Sequence, residues 1–320
     1  MTTSKSPRQV LLYALHVGKE ALPLYAHRYS PKKFTQPQLF ACLVLKEFLK
    51  LDYRKLAALL SDTPELCTTI ELHSVPHFTT FQKAAQRLLL APSARRLLDE
   101  TLHAGIAARC LRKRVAMAAL DGTGFESRHA SSYYVRRREK GGKKWQHLTY
   151  RRFPKAGILC DCKSHMVLAV LPGHGPSADC KHFRPAITEA LRNVRIEALA
   201  ADAGYDSEEA HEYARGACGI RSLIPALRGR PTDKPPSTYW RGQMKARLHT
   251  TRYGQRWQVE TVNSMIKRLL GAALRARKRW NQYREIVLRA LTLNIMIVRP
   301  VEVFYRAGTF CFSCQIDASL

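Results

Sequence analysis

Acidic residues are scarce in this chain: 25 Asp and Glu face 53 Lys and Arg, leaving a formal net charge of +28. Such an excess calls for a polyanionic partner, and nucleic acid is the commonest one. Ribosomal proteins and basic membrane-surface proteins share that charge, so it sets a broad class and no more. Long apolar runs are missing too. No window approaches about 18 uncharged apolar residues, which excludes a membrane-spanning helix; even residues 286–298 contain Arg289 and Asn294. Residues 10–17 follow Lys5 and Arg8 in faint imitation of a signal peptide. No small-residue cleavage site follows and His16 interrupts the run, so a short helix is expected. The nine cysteines are odd in number and lack a disulfide-rich spacing, in a chain long enough to need no staples. A reducing cytoplasm fits. Cys160-x-Cys162 and Cys311-x2-Cys314 do not form the usual paired zinc spacing; Cys160 and Cys162 are expected on one face of a strand. Gly122-Thr-Gly124 is a tight turn without the Walker pattern, which argues against a nucleotide-binding loop.

What is present suits a folded protein. With 46% apolar and 24% charged residues over 320 positions, the chain can bury a sizeable core, as two domains or one domain with an appendage. The basic residues cluster: nine in 136–155 against Glu139, eight in 226–256 against Asp233, and six in 267–279 with no acid. Each cluster lies next in sequence to a carboxylate singled out below.

Residues 33–112 read as helical. An apolar stripe runs through 36–51, continues with Tyr53, Leu56, Leu59 and Leu60, and after a polar linker at 61–76 resumes at 78–90. The last of these helices opens with Ser74, Pro76 and Thr80 as start signals. From residue 114 the pattern changes. Residues 115–120 read as a buried strand, and 155–161 with 165–171 as a hairpin about Lys163-Ser164. Residues 181–194 read as a helix, 196–201 as a strand, Asp206 with Glu209 as a capping box opening a helix, and 219–224 as a fifth strand. Residues 225–251 form a Pro/Gly-rich basic stretch expected to be a loop, whose Tyr239-Trp240 pair and Arg241 suit contact with DNA. Residues 280–298 read as an amphipathic helix covering the sheet. Residues 299–320 show no pattern.

Three carboxylates stand out. Asp121 and Asp202 each follow a short apolar run, and Glu260 lies on a helix. At 100° per residue Tyr253, Arg256, Glu260 and Lys267 share an arc of about 60°, while Val259, Val262, Met265, Ile266, Leu269 and Leu270 lie opposite. One acid flanked by two cations and a phenol, on a helix anchored by its back, suits a metal ligand beside groups that grip phosphates. A carboxylate set without His or Cys favours Mg²⁺ or Mn²⁺ over zinc. Two such ions about 4 Å apart would clamp an in-line phosphoryl displacement, with Asp121 bridging them. The alternative is an ordinary Arg256–Glu260 ion pair on a solvated helix. Asp161 reads as a strand or turn residue. Asp179 and His174 lie in a loop that either overhangs the site or is a polar turn.

The residues Tyr253-x2-Arg256-x3-Glu260-x6-Lys267, with Leu120-Asp121-Gly-Thr-Gly124 and Ala201-Asp202-Ala-Gly-Tyr-Asp206, resemble the DDE transposases of bacterial and archaeal insertion sequences. The resemblance runs from about residue 30 to 298. It implies an α/β fold, a ribonuclease H-like mixed sheet flanked by helices and preceded by an all-helical region. In that fold the first and fourth strands are neighbours, bringing Asp121 and Asp202 together. It implies a helix-turn-helix-like DNA reader in residues 1–113, with His77, Thr79, Thr80, Gln82 and Lys83 as candidate contacts, and a catalytic domain in 114–298 with a basic insertion near 226–250. Asp121, Asp202 and Glu260 would be catalytic metal ligands. Tyr253, Arg256, Lys267, Arg241 and Trp240 would hold double-stranded DNA, in a homodimer on DNA, in a prokaryotic cytoplasm. The expected activity is metal-dependent nicking at element ends and transfer of the freed 3′-hydroxyls to target DNA. The rivals are a catalytically silent transposase-derived DNA-binding protein, a nuclease of the same fold, and a basic RNA binder.

Overall fold

The computed structural model describes residues 3–127, 153–175, 177–226 and 236–298. The basic cluster at 136–155 up to residue 152, Arg228 and Arg230, Cys311 and Cys314, and the stretch 299–320 lie outside the described residues.

Six helices come first: α1 (Pro7–Ala21), α2 (Gln36–Phe48), α3 (Tyr53–Asp62), α4 (Pro64–Thr69), α5 (Phe78–Leu88) and α6 (Ser93–Ala107). Their starts follow local chemistry. Thr35 and Gln38 close a reciprocal capping box on α2, and Asp52 caps α3 by accepting from Lys55 N. The polar stretch at 61–76 is not only linker, because Pro64 at its first helical position starts the short α4. At α5 the expected Ser and Thr caps are not used. His77 is the N-cap residue, with its ring bonded to Thr79.

The remaining chain forms a five-stranded sheet: β1 (Ala118–Gly124), β2 (Phe153–Asp161), β3 (Val167–Gly175), β4 (Ala198–Ala201) and β5 (Arg221–Leu223). Their order is β3-β2-β1-β4-β5. The first three pair antiparallel, while β4 and β5 join parallel. Between them lie α7 (Phe183–Ala190) and α8 (Glu208–Glu212), followed by α9 (Tyr239–Arg247), α10 (Trp257–Leu270) and α11 (Arg279–Ile297). This is the ribonuclease H-like arrangement, with strands one and four adjacent as expected.

Three local expectations change. β1 runs to Gly124, because its antiparallel pairing with β2 continues after its parallel pairing with β4 stops at Leu120↔Ala201. Asp121 therefore lies inside a strand, at the level where its neighbour ends. Ser207, not Asp206, caps α8, accepting from Ala210 N. The stretch 225–251 is not wholly loop: α9 occupies its second half, because its Pro/Gly content is concentrated before residue 237.

The core is continuous from the N-terminal helices to the sheet. α11 carries the connection, and two polar groups in its apolar run explain themselves there. Asn294 accepts from Val167 N (2.8 Å) and donates to Val167 O (2.9 Å) and Thr101 (3.0 Å), tying α11 to β3 and α6. Arg289 is 2% exposed and pairs with Glu47 (2.9 Å) and Glu285 (2.8 Å). Burial disfavours the Glu47 anion, but Lys46 and Arg289 outweigh it and hold its carboxyl below the usual range. Among the described residues no helix is long and apolar enough to cross a membrane.

Candidate active site

Asp121 and Asp202 meet because β1 and β4 are parallel neighbours: Leu120 pairs with Ala201, and the next residue on each strand is the aspartate. Asp202 is oriented by the turn that it opens, accepting from Gly204 N at 2.9 Å. Asp121 accepts from Asn263 Nδ2 at 3.3 Å. Its carboxyl is pushed up, chiefly by partial burial, and the charges of Asp202 and Asp179 push the same way.

Glu260 comes from α10, whose Val259, Val262, Met265, Ile266 and Leu270 are buried as the periodicity requires; Leu269 is half-buried. The shared arc is not one helix, however. Arg252–Arg256 is a 3-10 turn capped by Thr251, and α10 begins at Trp257. Arg256 still reaches Glu260, at 2.5 Å. Arg256 also lies near the half-buried Tyr253 phenol, whose pKa is raised by burial, with Asp202 and Glu260 adding to the effect and Arg256 opposing it. Lys267 stands two turns on, its Nζ 5.8 Å from the centre of the Phe125 ring just past β1.

Asp121 and Asp202 lie on neighbouring strands, and Glu260 is tied to Arg256, whose charge acts on Asp121. Among the described residues no three His, Cys, Asp or Glu side chains already form a metal-holding group. The donor chemistry nonetheless suits a hard cation. Asp121 and Asp202 repel each other in a partly buried site, and a divalent ion relieves that repulsion.

Asp179, expected in a loop that either overhangs the site or is a polar turn, lies near enough to Asp121 for its charge to raise that carboxyl. It opens the 3-10 turn Asp179–His182, and its Oδ1 lies 2.6 Å from Lys155 Nζ. Both side chains occupy the space above Gly122: a Cβ there would stand 2.1 Å from Asp179 Oδ1 and 2.9 Å from Lys155 Cε. A side chain at the position after Asp121 would therefore force Asp179 and Lys155 to shift. Beneath them Tyr205 is fully buried, its hydroxyl unpartnered among the described residues. Burial raises that phenol, and Asp179, Asp121 and Asp202 add to the effect. Asn263, Lys155 and Tyr205 are the neighbours that sequence patterning missed. The only signals were an asparagine on a helix back and a tyrosine two residues after Ala203.

Other candidates take different places. Arg241 makes two bonds to the buried Asp206, at 2.8 and 2.9 Å, and Glu208 accepts from the α9 backbone at Trp240 and Arg241. Arg215 covers the Trp240 ring at 4.3 Å. These contacts fix α9 onto α8. His174 lies in β3, not a loop, and its ring bonds the Tyr283 hydroxyl. Asp161 accepts from Lys163 N and Ser164 N, so it shapes the β2–β3 turn. Cys160 and Cys162 are buried thiols, the first in β2 and the second just past it. His77, Gln82 and Lys83 are exposed on and before α5, while Thr79 and Thr80 are half-buried.

A ribonuclease H-like sheet with one acid inside its central strand and a second just past the end of the parallel neighbour defines a class of nucleic-acid phosphoryl-transfer folds. The family described as Transposase DDE domain matches residues 117–295, more than half of the chain, and the protein belongs to it. Its function is of the transposase type, with DNA as the substrate that the family implies. No curated protein sequence matches the chain.

Proposed function

We propose that this protein cuts DNA at the ends of a mobile element and joins the freed 3′-hydroxyls to target DNA, using Asp121, Asp202 and Glu260 to hold Mg²⁺ or Mn²⁺. The observation that carries this reading is the side-by-side placement of Asp121 and Asp202, with Arg256–Glu260 close by. Held there by these carboxylates, two such ions would supply activation of the attacking water or 3′-hydroxyl and charge stabilisation for the leaving 3′-oxygen.

The protein's own groups do the rest. Asn263 holds one oxygen of Asp121, and Gly204 N–H holds one oxygen of Asp202, leaving the second oxygens for the ions. Glu260, paired with Arg256, would join them once released from that pair. The freed guanidinium then grips a backbone phosphate in bidentate fashion. Tyr253 supports Arg256 and faces the same strand, while Lys267 offers a point charge further along. Trp240 and Arg241 enter through the helix that they anchor, which carries Lys245 and Arg247 on exposed positions. In this reading residues 1–113 supply DNA recognition, 114–298 the chemistry, and two copies act together on two ends.

A strand-transfer assay tests the proposal. A pre-cut element end with a free 3′-hydroxyl is incubated with target duplex and Mg²⁺ or Mn²⁺. Joined product supports a transposase. Cleavage without joining under either ion indicates a nuclease, and binding alone indicates a silent DNA-binding protein.

A further inference from the structure

A second cationic site adjoins the carboxylates. A cavity of about 320 Å³ opens between the chain leaving α6, the β2–β3 turn and the 3-10 turn before α10. Its walls carry Arg109, Arg112, Arg114, Lys163 and Arg252. All five are exposed. Arg114 pairs with Glu197, whereas among the described residues no carboxylate pairs with the other four. The one acid in the wall, Asp161, is buried and committed to the backbone N–H groups of Lys163 and Ser164. The cavity therefore holds uncompensated positive charge.

Its frame is fixed. Cys162 N donates to Met117 O at 3.0 Å, and Cys162 Sγ donates to Gln255 O at 3.6 Å, joining the cavity floor to the turn that carries Tyr253 and Arg256. The backbone at Arg109 is a second, independent observation. α6 ends with Cys110 N donating to Gly105 O and Arg109 N to Ile106 O, the paired bonds of a Schellman motif. That motif puts Arg109 at φ +55°, a position that favours glycine and costs another residue about 1 kcal/mol. Lys50 occupies the equivalent place after α2 and bonds Arg268 O at 3.0 Å. Arg109 makes no such bond among the described residues; its side chain lines the cavity.

We propose that this cavity binds the DNA sugar-phosphate backbone, holding the strand that runs past the carboxylates. The inference rests on the transposase reading. Asp161 at the cavity pairs with Ala118, three residues before Asp121 on the same strand. That spacing is about 10 Å at ~3.3 Å per residue, or roughly three nucleotides at about 3.4 Å of rise each. The cavity thus engages phosphates a few nucleotides from the one cut.

The test measures affinity of the full chain for a labelled duplex of arbitrary sequence across a salt series. Wild type is compared with Arg109→Gly and with a triple variant, Arg109→Gly, Arg112→Gln and Lys163→Gln. Each phosphate contact contributes about 0.9 to the slope of log affinity against log salt. The triple variant should flatten the slope by about 2–3. Arg109→Gly alone should flatten it by about 1 while leaving the melting temperature equal or higher, which a merely structural arginine would not do. Ethylation of phosphates about three nucleotides from the cleavage position should block wild-type binding and matter less to the triple variant. An unchanged slope in a protein that still cleaves DNA with metal overturns this site and leaves the transposase reading intact. Absence of salt-dependent duplex binding in wild type overturns both.

Discussion

Asn263 donates its side-chain amide to Asp121 across 3.3 Å, linking α10 to the central strand three residues after Glu260 on the same helix. In the proposed site one helix therefore both carries the third carboxylate and orients the first. Replacing Asn263 with leucine keeps the volume and removes the bond. Metal-dependent cleavage should fall about 10–100-fold, the usual cost of losing a group that orients a metal ligand. Duplex affinity measured without metal should not change.

Gly122 separates a packing role from a backbone role. Alanine within a strand is normally neutral or stabilising relative to glycine. Here the new methyl would meet Asp179 and Lys155. Gly122→Ala should lower the melting temperature by several degrees and depress cleavage. Adding Asp179→Ala should restore the melting temperature, and failure to restore it would place the strain elsewhere.

Asp121 sets function against stability. Its folded carboxyl is raised above the unfolded value, so its charge costs stability at neutral pH, and the cost is relieved as pH falls. Asp121→Asn should raise the metal-free melting temperature, by about 1–2 °C per kcal/mol recovered. The same variant should lose most of the stabilisation that Mn²⁺ gives wild type. Thermal melts with and without Mn²⁺ measure both.

His211 gives the fold an acid limit. Its ring is fully buried and bonded to Ser222 at 2.7 Å; burial, aided by Arg215, lowers its pKa to about 4. The unfolded chain binds that proton near pH 6.5, so stability is complete above 6.5 and falls as pH drops towards about 4. The loss is on the order of 3 kcal/mol. Urea midpoints at pH 7 and pH 4.5 should differ in wild type and differ less in His211→Gln.

Arg289 is the ionic anchor between the N-terminal helices and the segment after α10, donating to Glu47, Glu285, Gly271 O and Ala273 O. Arg289→Met leaves Glu47 buried with only Lys46. A loss of about 3–5 kcal/mol is expected, read as a lower urea midpoint.

Much of this arrangement was legible in the sequence because it rests on periodicity. The apolar runs before Asp121 and Asp202 marked two strands, the family resemblance implied that they are neighbours, and the back of α10 is buried as its spacing demands. What remained hidden depends on partners far along the chain. Asp179 reads as a loop residue until Gly122 and Lys155 come beneath it. Arg241 reads as a DNA contact until Asp206, 35 residues earlier, takes its guanidinium. The capping box assigned to Asp206 failed for the same reason: its carboxylate serves that distant pair, and Ser207 does the capping. Asn294 and Arg289, which interrupt an apolar run, prove to be the polar ties between layers.

The most direct test of the central claim is cleavage of a labelled duplex bearing the element's own end. It is run in Mg²⁺, Mn²⁺ or EDTA with wild type, Asp121→Asn, Asp202→Asn and Glu260→Gln. The account predicts metal-dependent nicking at the element end, lost in all three variants while each still binds the duplex. Nicking that survives any of these substitutions would contradict it.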